Sequence, residues 1–254
     1  MLTQHYDLAF VCLYLFWAFF AGLIYYLHRE NKREGYPLES DRKGVAVQGF
    51  PLMPPPKKFI LAHAGAEEPR RAERDLTGLA VPAAGFLGAP LVPTGNPMKD
   101  GIGPAAWAAR ADVPDLTFDH QLPKIVPLRV AEGYYLAEED PDPRGMPVVC
   151  ADGRIGGTVV DAWPDRSETL VRYLEAEVPT GPGTSRRVVF PMALATIDAN
   201  RREVHVQSVT AAQFAEAPGT KHPEQITLLE EDVISAYFAG GHMYALPGRI
   251  GPLI

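Results

Sequence analysis

Residues 9–39 read AFVCLYLFWAFFAGLIYYLHRENKREGYPLE, and the change of character at Arg29 decides how the rest of the chain is disposed. From Leu8 to Leu27 there are 20 residues without Asp, Glu, Lys, Arg or His. As a helix rising about 1.5 Å per residue, that run is roughly 30 Å long, the thickness of a bilayer's hydrocarbon core. Tyr6 at one end, and Tyr25 and Tyr26 at the other, stand where amphipathic rings settle among headgroups. A core helix of a soluble domain would carry a polar stripe, and this run has none. A cleavable export signal would open on basic residues and hold a shorter apolar core. Here MLTQHYD comes first, and Asp7 is its only charged side chain. The pattern predicts a retained transmembrane helix over 8–27, with 1–7 outside. Arg29, Lys32 and Arg33 crowd the far end, which puts that end in the cytoplasm. The same three residues are candidates to face anionic membrane lipid, or they only set topology. Gly22, flanked by Ala18 and Ala21, would let a neighbouring helix come close.

The remainder of the 254 residues leaves room for one medium domain plus attachments. A formal charge of -7 argues against nucleic acid as a partner, since phosphate binding needs a basic face. Cys12 and Cys150 show neither a disulfide framework nor metal-site spacing. From Tyr36 to Pro123 there are 13 prolines and many glycines, so long helices and regular ladders are excluded. Residues 28–123 are therefore expected to be an extended surface segment. A free polar linker would lack the Phe50, Leu52, Phe59, Ile60, Leu61, Leu79, Val81, Phe86, Leu87, Leu91, Val92 and Trp107 found along it. The segment should lie along a surface that covers these side chains. HAGAEEPRRAERD, residues 63–75, is the stretch most apt to be mobile.

Over 124–254 the texture turns to short β-rich runs. KIVPLRV, GMPVVCADGRIGGTVVDAW, TLVRYLEAEV, SRRVVFPMAL and ATIDANRREVHVQSV predict five or six strands. Asp152-Gly153 predicts a hairpin turn of the primed type. Glu203 to Gln207 alternates as a half-buried strand does. So many short antiparallel strands suggest a small closed or partly closed barrel. A helix is predicted from about Leu228 to Ala239, ended by Gly240-Gly241.

Catalytic signatures are missing: no G-x-S-x-G, H-E-x-x-H or C-x-x-C occurs, and GRIGG lacks nucleotide-loop spacing. The reading is a non-enzyme with no metal site. What stands out is a titratable set in the β-rich half. It comprises Asp119-His120, then Asp161, Asp165 and Glu168, with Arg172 and Glu175 following. Carboxylates near an imidazole can pass protons along bound water, especially where mutual repulsion spreads their titration toward neutrality. The same groups would serve equally as ordinary charges on a solvated loop.

Five segments in order resemble the H subunit of the photosynthetic reaction centre of purple bacteria. They are DLAFVCLYLFWAFFAGLIYYLHRENKREGYPLE (7–39), FPLMPPPKKFIL (50–61), PTGNPMKDGIGPAAW (93–107), VVDAWPDRSETLVRYLEAEV (159–178) and ITLLEEDVISAYFAGGHMYALP (226–247). The resemblance implies one transmembrane helix, an extended surface segment and a cytoplasmic PRC barrel with a C-terminal helix. It implies the L and M subunits as partners, in a bacterial inner (intracytoplasmic) membrane, with the N-terminus periplasmic. A cytochrome subunit and light-harvesting antenna are further partners it admits. The cofactors it implies belong to the complex and not to this chain: bacteriochlorophyll, bacteriopheophytin, carotenoid, non-haem iron and quinones. The implied role is to stabilise the quinone sites and to carry part of the proton path to the secondary quinone.

By resemblance, Asp165 and Glu168 hold the inner positions of that path, Arg172 stands near the Glu, and Asp119 and His120 form the surface entry. The family pattern at the entry has two His in alternate positions. Here TFDHQLPKIVPL (117–128) is one residue longer and has one His, which puts metal binding at the entry in doubt. Two rivals remain from other classes: a membrane-anchored PRC-barrel adaptor unrelated to photosynthesis, and a membrane enzyme with a catalytic barrel. The first should lack ENKREGYPLE and NPMKDGIGPAAW, and the second should show a nucleophile beside a base.

Overall fold

The computed structural model describes residues 7–39, 46–61, 65–67, 74–86, 89–181 and 183–250. Leu87 and most of 63–75, the stretch expected to be mobile, lie outside the described residues. The chain divides into two compact units, one of residues 1–71 and 86–88 and the other of 72–85 and 89–254.

In the first unit, helix α1 spans Leu8–Glu30, three residues beyond the apolar run. Asp7 caps it by accepting from the Ala9 N–H at 2.9 Å, satisfying one of the orphan donors of a helix start. The helix runs on through His28, Arg29 and Glu30 because charge as such does not end a helix, and cations suit its carbonyl end. No residue of α1 is buried, and mean hydropathy over its most apolar window is 2.2, so it is long and apolar enough to cross a membrane. Phe16, Trp17 and Phe20 form a ring cluster on it, with centroids 5.6–5.9 Å apart.

Beyond α1 come two small hairpins: β1 (Leu38–Glu39) with β2 (Ala46–Val47), and β3 (Phe59–Leu61) with β4 (Gly65–Glu67). All three residues of β3 are exposed, as are Phe50 and Leu52. Among its described residues this unit therefore has almost no core of its own.

The second unit begins with a hairpin of β5 (Ala80–Pro82) and β6 (Leu91–Pro93), then the single helical turn α2 (Pro97–Asp100). Its body is a six-stranded sheet of β7 (Pro147–Cys150), β8 (Ile155–Asp165), β9 (Leu170–Gly181), β10 (Thr184–Pro191), β11 (Thr196–Asp198) and β12 (Glu203–Val206). The strand order is β10-β9-β8-β7-β12-β11, antiparallel except where β12 runs parallel to β7. Helices α3 (Ala211–Ala215) and α4 (Leu228–Tyr244) close the chain.

Trp163, Phe190, Phe214, Phe238, Leu174, Ile226 and Ile234 are fully buried. Each contributes roughly 1.5–3 kcal/mol from lost contact with water. Phe190, Phe214 and Phe238 meet as three rings, 5.3–6.2 Å apart, joining β10, α3 and α4. Cys150 sits inside this core, and burial pushes its thiol up to about 12.

Three local readings change. KIVPLRV is not a strand: Leu128–Val130 form a 3-10 turn and Ile125 makes one isolated bridge, to Asp165. Pro123 precedes it and Pro127 interrupts it, and neither has an N–H to give a ladder. The turn at Asp152-Gly153 is not primed. Only Gly153 has positive φ, +72°, and its N–H donates to the Cys150 carbonyl at 2.9 Å, so an ordinary turn is followed by a left-handed glycine in a bulge.

Finally, α4 does not stop at Gly240-Gly241 but continues to Tyr244. A Cβ on Gly240 would lie 2.4 Å from the Ala105 Cβ, and one on Gly241 would lie 2.3 Å from the Ser208 carbonyl oxygen. The glycines are there because other backbone presses against the helix. The start of α4 follows its sequence signal: Thr227 and Glu230 form a capping box, with bonds of 3.1 and 2.9 Å.

Candidate functional site

β8 ends and β9 begins around a tight turn at 166–169, and Asp165 builds that turn. Its Oδ1 accepts from the N–H groups of Ser167 at 2.9 Å and Glu168 at 3.2 Å, the local bonding that makes Asp a turn former. Only 1% of Asp165 is exposed. A carboxylate so buried requires compensation. Its Oδ2 meets Arg172 Nε at 3.3 Å and Lys124 Nζ at 3.5 Å.

Half-exposed Glu168 pairs with Arg172 through Nη2 and lies 4.0 Å from Lys124. Lys124 reaches a third carboxylate, Asp115, at 3.7 Å. Its backbone ties it to both neighbours: its N–H donates to the Asp115 carbonyl at 2.7 Å, and its own carbonyl accepts from Arg166 N–H at 2.9 Å.

Thus Asp165, Glu168 and Arg172 stand together. Sequence reasoning missed Lys124 and Asp115, although the quoted KIVP segment contains the lysine. The spacing from Lys124 to Asp165 gives no hint of contact; the isolated bridge between Ile125 and Asp165 makes it.

Asp119 and His120 are exposed and line a cavity of about 780 Å³ together with Phe118, Tyr134, Arg166 and Ser167. Arg166 and Ser167 are the residues between the two inner carboxylates, so one wall of this cavity is the outer side of the turn. Among the described residues, no hydrogen bond or ion pair joins Asp119 or His120 directly to Asp165, Glu168 or Arg172.

A second ionic group lies on the same two strands. Asp161 and Glu175 are cross-strand partners, 5% and 3% exposed. Arg129 Nη1 bonds both, at 3.0 and 2.6 Å. Trp163 Nε1 donates to Glu175 at 3.1 Å, and Arg129 Nη2 donates to the Pro223 carbonyl.

In the first unit the basic trio splits. Arg29 is half-buried. Arg33 pairs with Glu30 at 2.8 Å and donates to the Pro55 carbonyl. Lys32 is only 3% exposed; its ammonium donates to the carbonyls of Gln48 at 2.7 Å and Pro51 at 2.6 Å and stands 5.1 Å from the centre of the Tyr36 ring. The expectation that Lys32 faces lipid is corrected: it is spent on its own chain, holding the loop that returns beneath α1.

A family model for the PRC-barrel domain matches residues 137–213, from before β7 into α3. That fixes the class: a PRC-barrel protein whose N-terminal helix has the length and apolarity of a membrane span. A second family model, the photosynthetic reaction centre H-chain N-terminal region, matches residues 1–130 and so covers the helix and the whole Pro/Gly-rich segment. The chain belongs to the photosynthetic reaction centre H-chain family. It is a structural, membrane-anchored member of a reaction-centre complex.

Proposed function

We propose that this chain is the scaffold that covers the L and M subunits from the cytoplasmic side and conducts protons toward the secondary quinone. The supporting observation is the group of three carboxylates, Asp115, Asp165 and Glu168, gathered on Lys124 and Arg172 at the turn whose Arg166 and Ser167 line the cavity of about 780 Å³. The quinone, held by the partner subunits, takes up two protons when fully reduced. An unneutralised anion there would be costly in a low-dielectric site.

The part of this chain is to hold protons near that site and replace them from solvent. Glu168, half-exposed at the rim, exchanges with water; buried Asp165 is held by two cations and two N–H groups and fixes the geometry of the turn. Asp119 and His120 at the groove are the entry. The scaffold role draws on Phe50, Leu52, Phe59, Ile60 and Leu61, apolar side chains left 42–89% exposed on a unit whose described residues form almost no core, which partner subunits would cover. The pigments, iron and quinones reside in those partners, and the membrane is a bacterial inner membrane with the N-terminus periplasmic.

Glu168→Gln in the intact complex tests the conduit. The second, proton-coupled electron transfer to the secondary quinone should slow, with primary charge separation unchanged. Flash kinetics identical to wild type would remove Glu168 from the path.

A further inference from the structure

The ionic group of Arg129, Asp161 and Glu175 lines a cavity of about 810 Å³, which shares Tyr134 as a wall with the cavity at Asp119 and His120. Glu175 is only 3% exposed. Its Oε2 accepts from Arg129 and Trp163. Its Oε1 accepts no hydrogen bond from any described residue: Arg187 Nη1 stands 3.9 Å away, out of hydrogen-bond reach, and the oxygen is not sealed from solvent. A carboxylate oxygen this deep, without a donor and open to a cavity, is a place for a donor from outside the chain.

The charge around that oxygen calls for a cation. Five carboxylates line the cavity against three arginines. Asp142 is matched by Arg144 at 2.6 Å, and Asp161 and Glu175 share Arg129, with Arg187 near by. Glu138 and Asp140 are exposed, and among the described residues their side chains have no hydrogen bond or ion pair, so the excess negative charge lies with them. Leu128, Leu136 and Tyr135 supply apolar wall. The Tyr135 ring, 84% exposed, offers its face to a cation.

We propose that this cavity binds a linear aliphatic polyamine. One ammonium group donates to Glu175 Oε1, another is matched by Glu138 and Asp140, and the methylenes between them lie on Leu128, Leu136 and Tyr135. The binding does not depend on the proton conduit. A hard divalent cation fits less well. It takes about six to eight oxygens at close range, and among the described residues no three acidic or histidine side chains are placed to hold one. An anion would meet the excess negative charge. A single basic side chain from a partner subunit would fill only part of a space that lies within the roughly 300–1,000 Å³ of small-molecule sites.

The test is equilibrium dialysis of the assembled complex against radiolabelled spermidine, at an ionic strength held constant with magnesium chloride. Glu138→Gln with Asp140→Asn changes two exposed side chains, and it should weaken one saturable site per complex by about tenfold. Tyr135→Ala should weaken the same site by about threefold. Glu139→Gln is the control, since Glu139 is exposed on the same loop but does not line the cavity; its affinity should match wild type. Equal binding by wild type and the double variant overturns the proposal, including the case in which a partner's basic side chain already fills the cavity. So does an equal loss in Glu139→Gln, which would make net charge the cause, or the disappearance of the site when magnesium replaces sodium at matched ionic strength. Should the double variant fail to assemble, Tyr135→Ala decides: weakened binding supports the site and unchanged binding overturns it.

Discussion

A Cβ placed on Gly240 would lie 2.4 Å from the Cβ of Ala105 and 2.9 Å from its Cα, so α4 touches the Gly103–Ala105 turn backbone to backbone. Ala105 is wholly buried and cannot swing aside. Gly240→Ala should therefore destabilise by roughly 1–3 kcal/mol through overpacking, outweighing the gain of up to about 1 kcal/mol that Ala brings to a helix interior. The temperature at which the subunit leaves the purified complex should fall. Gly248→Ala is the control, since a Cβ there meets nothing within 4 Å; equal effects from the two would show that the contact does not govern the helix.

Arg129 holds two buried carboxylates at once, and its removal would leave Asp161 and Glu175 facing each other without it. Breaking a buried pair costs about 3–5 kcal/mol. Because the Arg129 side chain is 38% exposed, roughly 2–3 kcal/mol is expected for Arg129→Met after discounting for solvent. Adding Glu175→Gln should restore part of the loss. Denaturant unfolding of the four members of this double-mutant cycle measures it, and a strictly additive result would mean that the charges are not coupled.

The lesson about legibility lies in which contacts were local. The spanning helix and the α4 capping box were readable because composition and an i, i+3 pattern suffice. Asp165, Glu168 and Arg172 stand out in sequence as part of a titratable set and take their roles from the resemblance; they meet because a four-residue turn returns the chain on itself. Lys124 joins the cluster by bridges to Asp165 and Glu168, more than 40 residues on, and brings Asp115 with it; Tyr173 pairs with Glu231, 58 residues on; no periodicity reports contacts of that kind. Gly240-Gly241 was misread for a related reason. A glycine pair looks the same in sequence whether it ends a helix or lets distant backbone approach, and only the position of Ala105 and Ser208 decides.

Lys32 anchors the segment that follows α1, since its ammonium joins the Gln48 and Pro51 carbonyls, 16 and 19 residues on. Lys32→Met keeps most of the side-chain volume but removes both bonds. Each charge-assisted bond contributes about 1.5–3 kcal/mol. Limited proteolysis of membranes carrying the variant should cut within residues 46–56 faster than in wild type, with α1 still inserted. An unchanged cleavage rate would show that partner subunits alone hold the loop.

Glu231, half-buried in the first turn of α4, accepts from the Tyr173 hydroxyl at 3.1 Å, and its raised titration makes stability depend on pH, with a definite sign. Burial, the largest cause, holds the folded carboxyl above its unfolded value. Between those two values the native state binds more protons than the unfolded chain, so stability falls as pH rises through that window. The contribution is fully present below the unfolded value and is lost once pH passes the folded one. Glu231→Gln cannot ionise and lacks this loss. Relative to wild type, its thermal midpoint in the complex should therefore rise as pH is raised through the window, then level off above it. Tyr173→Phe should move the levelling point to higher pH, because the hydroxyl that favoured the carboxylate is gone. Wild-type and Glu231→Gln curves that stay parallel from acid to alkaline pH would show that the carboxyl titrates as an ordinary exposed glutamate.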